Sequence, residues 1–352
     1  KTAPKRVYSP SVSRSPGQGT LPAGLTDVDW QDWLAATRLA VREAKRLTGK
    51  DAPLHIVGFS NGGALAMKYS LDALDNAELA KPQRVILISP MIGITSFARF
   101  SGLAGWPAFL PAFSKAAWLN IMPEFNPFKY NSFPTNAARQ SFLLTKALQK
   151  QIVADARNQK LNSLPPVLTF QSVMDSTVST RAIVTALYNR LPDNGSEIVL
   201  FDLNHAVRFN SLLRRTSYTA LARLLPAAPR AYQTTIITNA NSASTEMEIR
   251  TTPAGKTDTT VEKLQGLHYL PDVYSLSHVA LPFPLSDSLY GRYPHPLNQY
   301  GISLGTFAAR GERSVLVVGL DSLMRQSSNP FFPYMIKRID EGIDTRPALS
   351  GK

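Results

Sequence analysis

One pentapeptide constrains this chain more than any other feature: Gly58-Phe59-Ser60-Asn61-Gly62, set between the apolar run Leu54 to Phe59 and a helical pattern from Ala64 to about Leu79. The spacing G-x-S-x-G arises by chance in roughly one chain in ten of this length, so the setting carries the weight. A strand ahead (His55-Ile56-Val57) and a helix behind make a tight turn that thrusts the serine outward. Such a turn asks for glycine two positions either side of the serine, where a Cβ would strike the strand or the helix. Gly58 and Gly62 fill those places, and Gly63 adds a further small position. At a helix start, Ser60 Oγ meets the positive end of the helix dipole, and the Asn61 backbone N–H points to where an oxyanion would form. The plainer alternative is a tight turn with an incidental serine.

The rest of the chain reads as a frame for that turn. Thr26 and Asp29 offer a capping pair, and Trp30, Trp33, Leu34, Ala40, Val41, Ala44 and Leu47 recur at near-helical spacing until Gly49. Val85 to Ser89 is a continuous apolar run of strand type. Helix, buried strand, helix, buried strand is the rhythm of a mostly parallel sheet flanked by helices, an α/β class. The rhythm breaks between Gly93 and Leu161, a stretch rich in Trp, Phe and Pro that ends in a polar helix near Asn136 to Arg157. It resumes with a strand at Val167 to Val173, a helix at Thr180 to Leu191 and a strand at Ile198 to Leu203. Tyr232 to Ile237, Glu246 to Thr251, Asp272 to Leu276 and Val315 to Val318 read as further strands.

Composition narrows the chemistry. Of 352 residues, 44% are apolar and 18% charged, which supports a sizeable core. There is no cysteine, so disulfides, thiolate metal sites and cysteine nucleophiles are excluded. No apolar stretch is long enough to span a bilayer; Phe100 to Ser114 is the longest free of charge. The chain starts at Lys1 with nothing resembling a signal peptide, which suggests a start that has been cut away.

A serine nucleophile needs a base and an orienting acid, in the chain order Ser, acid, His for this architecture. Asp175 ends the run Val167 to Val173 and stands at a strand's C-terminal tip, where the acid belongs; capping the next helix is its simpler role. Asp202 competes from inside the following run. Five histidines are available: His55, His205, His268, His278 and His295. His55 reads as a packed core residue, and His268 and His295 lie in Tyr- and Pro-rich loops. Spacing alone favours His205, directly after the strand that follows the acid, over His278.

Several strings resemble a group of bacterial α/β-hydrolase fold proteins, the esterases, lipases and serine-aminopeptidase-like hydrolases. They are Gly17-Gln18-Gly19-Thr20, Val57 to Leu65, Pro123-Glu124-Phe125-Asn126-Pro127-Phe128-Lys129-Tyr130, Ser275 to Pro282, and Ser286 to Gly291. The likeness runs from about Ser15 to Ile339. It implies an α/β-hydrolase core over residues 25–95 and 162–340. A helical cap over 96–161 would stand above the site, with a basic Ser/Pro/Gly-rich segment at 1–24 and a tail at 341–352. It moves the base from His205 to His278, because Ser275-Leu276-Ser277-His278 resembles the string that carries the catalytic histidine. It implies ester hydrolysis by Ser60, Asp175 and His278 with no metal or organic cofactor; a peptidase, or an impaired hydrolase-fold binding protein, is the alternative. Relatives carry G-H-G-T where this chain has Gly17-Gln18-Gly19-Thr20, preceded by strands and a His-Gly loop that gives a second oxyanion N–H. This chain has no His-Gly dipeptide. The expectation is that the first strands are missing, or that another chain completes the sheet.

In the cap, Phe97, Phe100, Trp106, Phe109, Leu110, Phe113 and Trp118 are candidates for an acyl pocket, with Phe59 beside the nucleophile; packing the cap's own core is the alternative. The substrate expected is a small-molecule or lipid ester. The net charge of +13 favours peripheral contact with anionic membrane or envelope polymers in an exported protein. The basic residues are scattered and match no nucleic-acid motif, so no nucleic-acid partner is expected.

Overall fold

The computed structural model describes residues 15–17, 21–93, 117–121, 124, 130–208, 210–297, 301, 303–305 and 328–344. Alternating apolar strands and helices pack as an α/β fold with a mostly parallel seven-stranded sheet. In chain order the described strands are β1 (His55–Phe59), β2 (Arg84–Ile88), β3 (Trp118–Asn120), β4 (Phe133–Pro134), β5 (Val167–Ser172), β6 (Glu197–Phe201), β7 (Gln233–Asn239), β8 (Met247–Thr252) and β9 (Thr260–Leu264). The sheet order is β1-β2-β5-β6-β7-β8-β9, while β3 and β4 form a separate antiparallel pair. The first five sheet strands are parallel; β8 and β9 fold back antiparallel.

That order never reverses, so successive right-handed crossovers put their helices on one face. The helices α1 (Trp30–Thr48), α2 (Asn61–Asp75) and α3 (Thr135–Arg157) lie there. Alternate strand residues such as Val85, Leu87, Ile198 and Leu200 meet Trp33, Leu71, Leu144, Leu148 and Ile152 in one core. The intervening residues, among them Ile86, Phe170, Phe201 and Ile237, face a second core with Leu276, Leu281 and Phe331. The helix α4 (Phe332–Asp344) closes this second side. Arg338 donates to the buried Glu197 carboxylate, and Arg84 Nη1 donates to the Gly342 carbonyl at 2.9 Å.

Several local expectations shift. The first helix is capped by Asp29 rather than Thr26: Asp29 N–H donates to Asp32 Oδ2 at 3.0 Å. Thr26 instead donates its hydroxyl to Ala23 O at 2.7 Å, closing a short 3₁₀ turn over Pro22–Leu25. Asp272 to Leu276 is no strand. Asn204 Nδ2 donates to Val273 O at 2.7 Å and Asn204 N to Tyr274 O at 2.9 Å, so a loop takes the carbonyls that a strand would have offered to a neighbour. The helix expected over Thr180 to Leu191 changes pitch from an α turn (Thr180–Ala182) to a π turn (Ile183–Leu187) and a 3₁₀ turn (Tyr188–Arg190). Although α3 falls within 96–161, its apolar face belongs to the main core. Its Gln149 Nε2 and Thr145 Oγ1 donate to Ile92 O at 2.8 Å and Met91 O at 3.2 Å, pinning the chain after β2. Val315 to Val318 lies outside the described residues. Among the described residues no strand precedes β1, which stands at the sheet's edge with Val57 55% exposed. No helix among them is long and apolar enough to cross a membrane.

One acid is poorly placed for stability. Asp155, near the end of α3, is 5% exposed and its Oδ2 has no hydrogen-bond partner. Burial raises its pKa above the ordinary 3.8, with Asp75 adding to the rise and Lys160 opposing it. A carboxyl whose folded-state pKa is raised loses stability as pH climbs from the unfolded-state value through the folded one. Asp155→Asn should therefore raise Tm at pH 7 by ~1–3 °C, with the gain fading below pH ~4; calorimetry at the two pH values checks it.

Candidate active site

Ser60 sits between the tip of β1 and the first residue of α2, with φ +54° and ψ −119°. For a residue with a Cβ this backbone is strained, and strain persists only where the surroundings enforce it. Here Ser60 N donates to Ile88 O at 3.0 Å, and Met91 N donates to Ser60 O at 3.0 Å. The elbow is thus clamped to the chain leaving β2, where Ser89 itself has φ +44° and is fully buried. The Asn61 backbone N–H heads α2, among the first-turn amides that have no carbonyl inside the helix.

The glycine requirement differs from the sequence expectation. A Cβ on Gly58 would lie 2.5 Å from Gly62 O and 2.7 Å from Gly63 Cα, and one on Gly63 would lie 2.7 Å from Pro90 Cβ. A Cβ on Gly62 would meet nothing within 4 Å. The tight positions are Gly58 and Gly63. The second glycine of the pentapeptide is sterically free because the close approach is between the helix's third residue and the Ser89-Pro90 turn.

Asp175 follows β5 with its side chain fully buried, and the nearby His278 side chain is 6% exposed. Asp175 Oδ1 accepts from Thr177 N at 2.8 Å and Val178 N at 3.0 Å; Oδ2 accepts from His278 Nδ1 at 3.0 Å. Both readings of Asp175 hold together, since one oxygen serves the turn and the other the imidazole. The ring of Phe59, the residue before Ser60, lies 5.1 Å from the His278 ring at an interplanar angle of 32°. Phe59, expected to line a substrate pocket, is thereby placed against the imidazole. Among the described residues Ser60 Oγ makes no hydrogen bond to the ring. Such bonds are often long before substrate arrives.

His205 belongs to another pair. Its Nε2 lies 3.1 Å from Asp202 Oδ2, which also accepts from Thr238 Oγ1 at 2.9 Å. The His205 ring stacks on Tyr218 with centroids 5.7 Å apart. The two acids and two candidate bases therefore sort into Asp175–His278 and Asp202–His205. His55 lies half-buried on β1, with Nδ1 unpartnered; burial, and then the Arg84 charge, lower its pKa. His268 and His295 are exposed.

No protein-family model matches the chain, and no curated protein matches it by sequence. Solved structures similar to it include a metagenome-derived lipolytic enzyme, at 19% identity and a TM-score of 0.36 over 53% of this chain and 68% of that one. A soluble variant of the Saccharomyces cerevisiae monoglyceride lipase, crystallised with a substrate analogue, gives 14% identity and 0.37 over 53% and 65%. A Mycobacterium tuberculosis protein named as a candidate non-heme bromoperoxidase gives 15% and 0.33 over 53% and 69%. These overlaps are loose, and the strand order and site geometry stand on the chain's own contacts.

Trp106 and Phe109, expected to line an acyl pocket, lie outside the described residues, as do Phe97, Phe100, Leu110 and Phe113. Trp118 is described, half-buried on β3. Two of the resembling strings meet: Tyr130 donates its hydroxyl to Gly17 O at 3.3 Å. Sequence reasoning passed over Asn204 and Gln171. Asn204 is 3% exposed and braces the segment leading to His278, and Gln171 is a fully buried polar residue four positions before Asp175. A long amide side chain inside the strand run Val167 to Val173 was the available signal for Gln171.

Proposed function

We propose that this chain is a serine hydrolase of carboxylic esters, with Ser60 as nucleophile, His278 as base and Asp175 as the acid that orients the imidazole. The observation that carries this reading is the buried 3.0 Å bond between His278 Nδ1 and Asp175 Oδ2, with the imidazole in ring contact with Phe59, the residue before the strained Ser60 elbow. With Nδ1–H facing the carboxylate, Nε2 is the basic nitrogen of the ring. In the proposed step, Nε2 takes the Ser60 hydroxyl proton as Oγ attacks the ester carbonyl. The carbonyl π electrons move onto oxygen, and that oxyanion is met by the Asn61 N–H at the positive end of α2. Collapse expels the alkoxide, which leaves as alcohol with the proton from the imidazolium. Water, deprotonated by the same nitrogen, then attacks the acyl-enzyme and releases the acid and free Ser60.

Asp175 contributes by fixing the ring and balancing its transient positive charge, while Thr177 N and Val178 N hold the carboxylate in place. A small-molecule or lipid ester fits this chemistry; amide and peptide bonds break by the same sequence with a poorer leaving group. The net charge of +13 would draw the chain toward an anionic surface carrying such a substrate.

A fluorophosphonate reagent tests the nucleophile, because it phosphonylates an activated serine and spares an ordinary one. Intact protein should label at one site, and Ser60→Ala should abolish that label. If intact protein stays unlabelled, or the variant labels equally, the hydrolase reading falls and the chain becomes a hydrolase-like binding protein.

A further inference from the structure

Gln171 sits on β5 with no exposed surface, in a strand whose neighbours Leu168 and Phe170 fill the core. A buried primary amide brings two donors and one acceptor that all want partners. This one spends them unevenly. Nε2 faces three acceptors: Thr180 Oγ1 at 3.0 Å, Asp175 Oδ2 at 3.1 Å and Ser172 O at 3.2 Å. Oε1 is buried without any partner. Leaving an acceptor bare is unfavourable, and the arrangement makes electrostatic sense only with an anion beside Nε2. Turning the amide over would place its oxygen against the Asp175 carboxylate.

The oxygen that Gln171 reaches is the same Oδ2 that accepts from His278. We propose that Gln171 is a positioning residue for the base: it locks the Asp175 carboxylate in the orientation that receives Nδ1–H and opposes premature protonation of the ring. This rests on the ester-hydrolase reading of the Ser60 site. Oδ1 is already pinned by the turn amides Thr177 N and Val178 N, so the Gln171 bond to Oδ2 fixes the carboxylate's second oxygen. Without it, Oδ2 answers to the imidazole alone. Two donors converging on one oxygen also repel each other. The positive end of the Gln171 amide therefore faces the imidazole edge, and adding a proton at Nε2 strengthens that repulsion. Among the described contacts of the ring, Asp175 is ionisable and Phe59 lies against it, and Ser172 and Thr180 are the amide's other partners.

The sign of the test follows. In Gln171→Met, which keeps length and burial and removes both donors, the ring should hold its extra proton to higher pH. The acidic limb of the kcat/KM profile for a p-nitrophenyl ester should move upward by on the order of half a pH unit, and the plateau should fall about tenfold as the carboxylate loses its lock. The proton shared between His278 Nδ1 and Asp175 gives a far-downfield NMR resonance whose titration should move in the same direction. A lowered plateau with an unmoved acidic limb and unmoved resonance would overturn the proposal, leaving Gln171 a packing residue. Gln171→Asn, which keeps an amide but draws its donors away from Asp175, carries the same expectation if the Met variant does not fold. Failure of intact protein to hydrolyse any ester would sink the hydrolase reading alone, because the NMR titration reads Gln171 without turnover.

Discussion

His278→Ala should lower ester turnover by on the order of 10⁴ or more, whereas His205→Ala should leave it within about tenfold. Each histidine is bonded to an aspartate, so pairing by itself does not choose between them. Position does. The His278 ring contacts Phe59, one residue before Ser60, and the aspartate bonded to it stands at the tip of β5, two strands from β1. His205 follows β6, its carboxylate is shared with Thr238 on β7, and its ring stacks on Tyr218. Among the described residues the link from that stretch toward the Ser60 turn runs through Asn204, whose bonds to Val273 O and Tyr274 O steady the loop carrying His278. His205→Ala leaves Asn204 in place, and this is why a modest loss is expected. Parallel assays of the two purified variants on one ester decide the matter; a His278→Ala protein with full activity would end the assignment.

The second large effect concerns the elbow's glycines, and it separates two positions that look equivalent in the pentapeptide. Gly58→Ala should cost more than about 3 kcal/mol of stability and abolish serine labelling. Its new methyl would press on backbone atoms of Gly62 and Gly63, at 2.5 and 2.7 Å, and no side-chain rotation relieves a backbone clash. Gly62→Ala should instead be neutral or stabilising by up to ~1 kcal/mol, because alanine suits a helix's first turn and its Cβ meets open space. Denaturant titration of the two variants reads the contrast directly. Equal losses would show that the G-x-S-x-G spacing reflects both glycines after all.

Much of the site was legible in the chain because its signals are local. A strand, a small-residue turn and a helix lie within twenty residues around Ser60, and Asp175 stands where an apolar run ends. The proposed base was harder to read. His278 is brought to Asp175 across 103 residues, and His205 is the nearer candidate by every local measure. A resemblance in the string Ser275 to Pro282 pointed to His278. Strand reading failed where pairing, rather than pattern, makes the strand. β9 is Thr-Val-Glu-Lys-Leu, with four of its five residues exposed, and it exists because β8 offers it a partner. Asp272 to Leu276 is apolar enough for a strand but is met by an asparagine loop. Phe59 and Gln171 gain meaning only in three dimensions, one through a ring contact and the other through a bond four residues along a strand's end.

The edge position of β1 among the described strands has a consequence for Ser60 itself. In a parallel pair only alternate amides point to the neighbour. The Ser60 amide is bonded toward β2, so those of Val57 and Phe59 face the other way, where no described strand stands. Among the described residues the strained turn is braced through Ile88 O and Met91 N. Opening that seam would let Ser60 relax toward an ordinary backbone conformation. Reactivity of the serine and protection of a few amides at the β1–β2 junction then become one quantity, set by how rarely the seam parts.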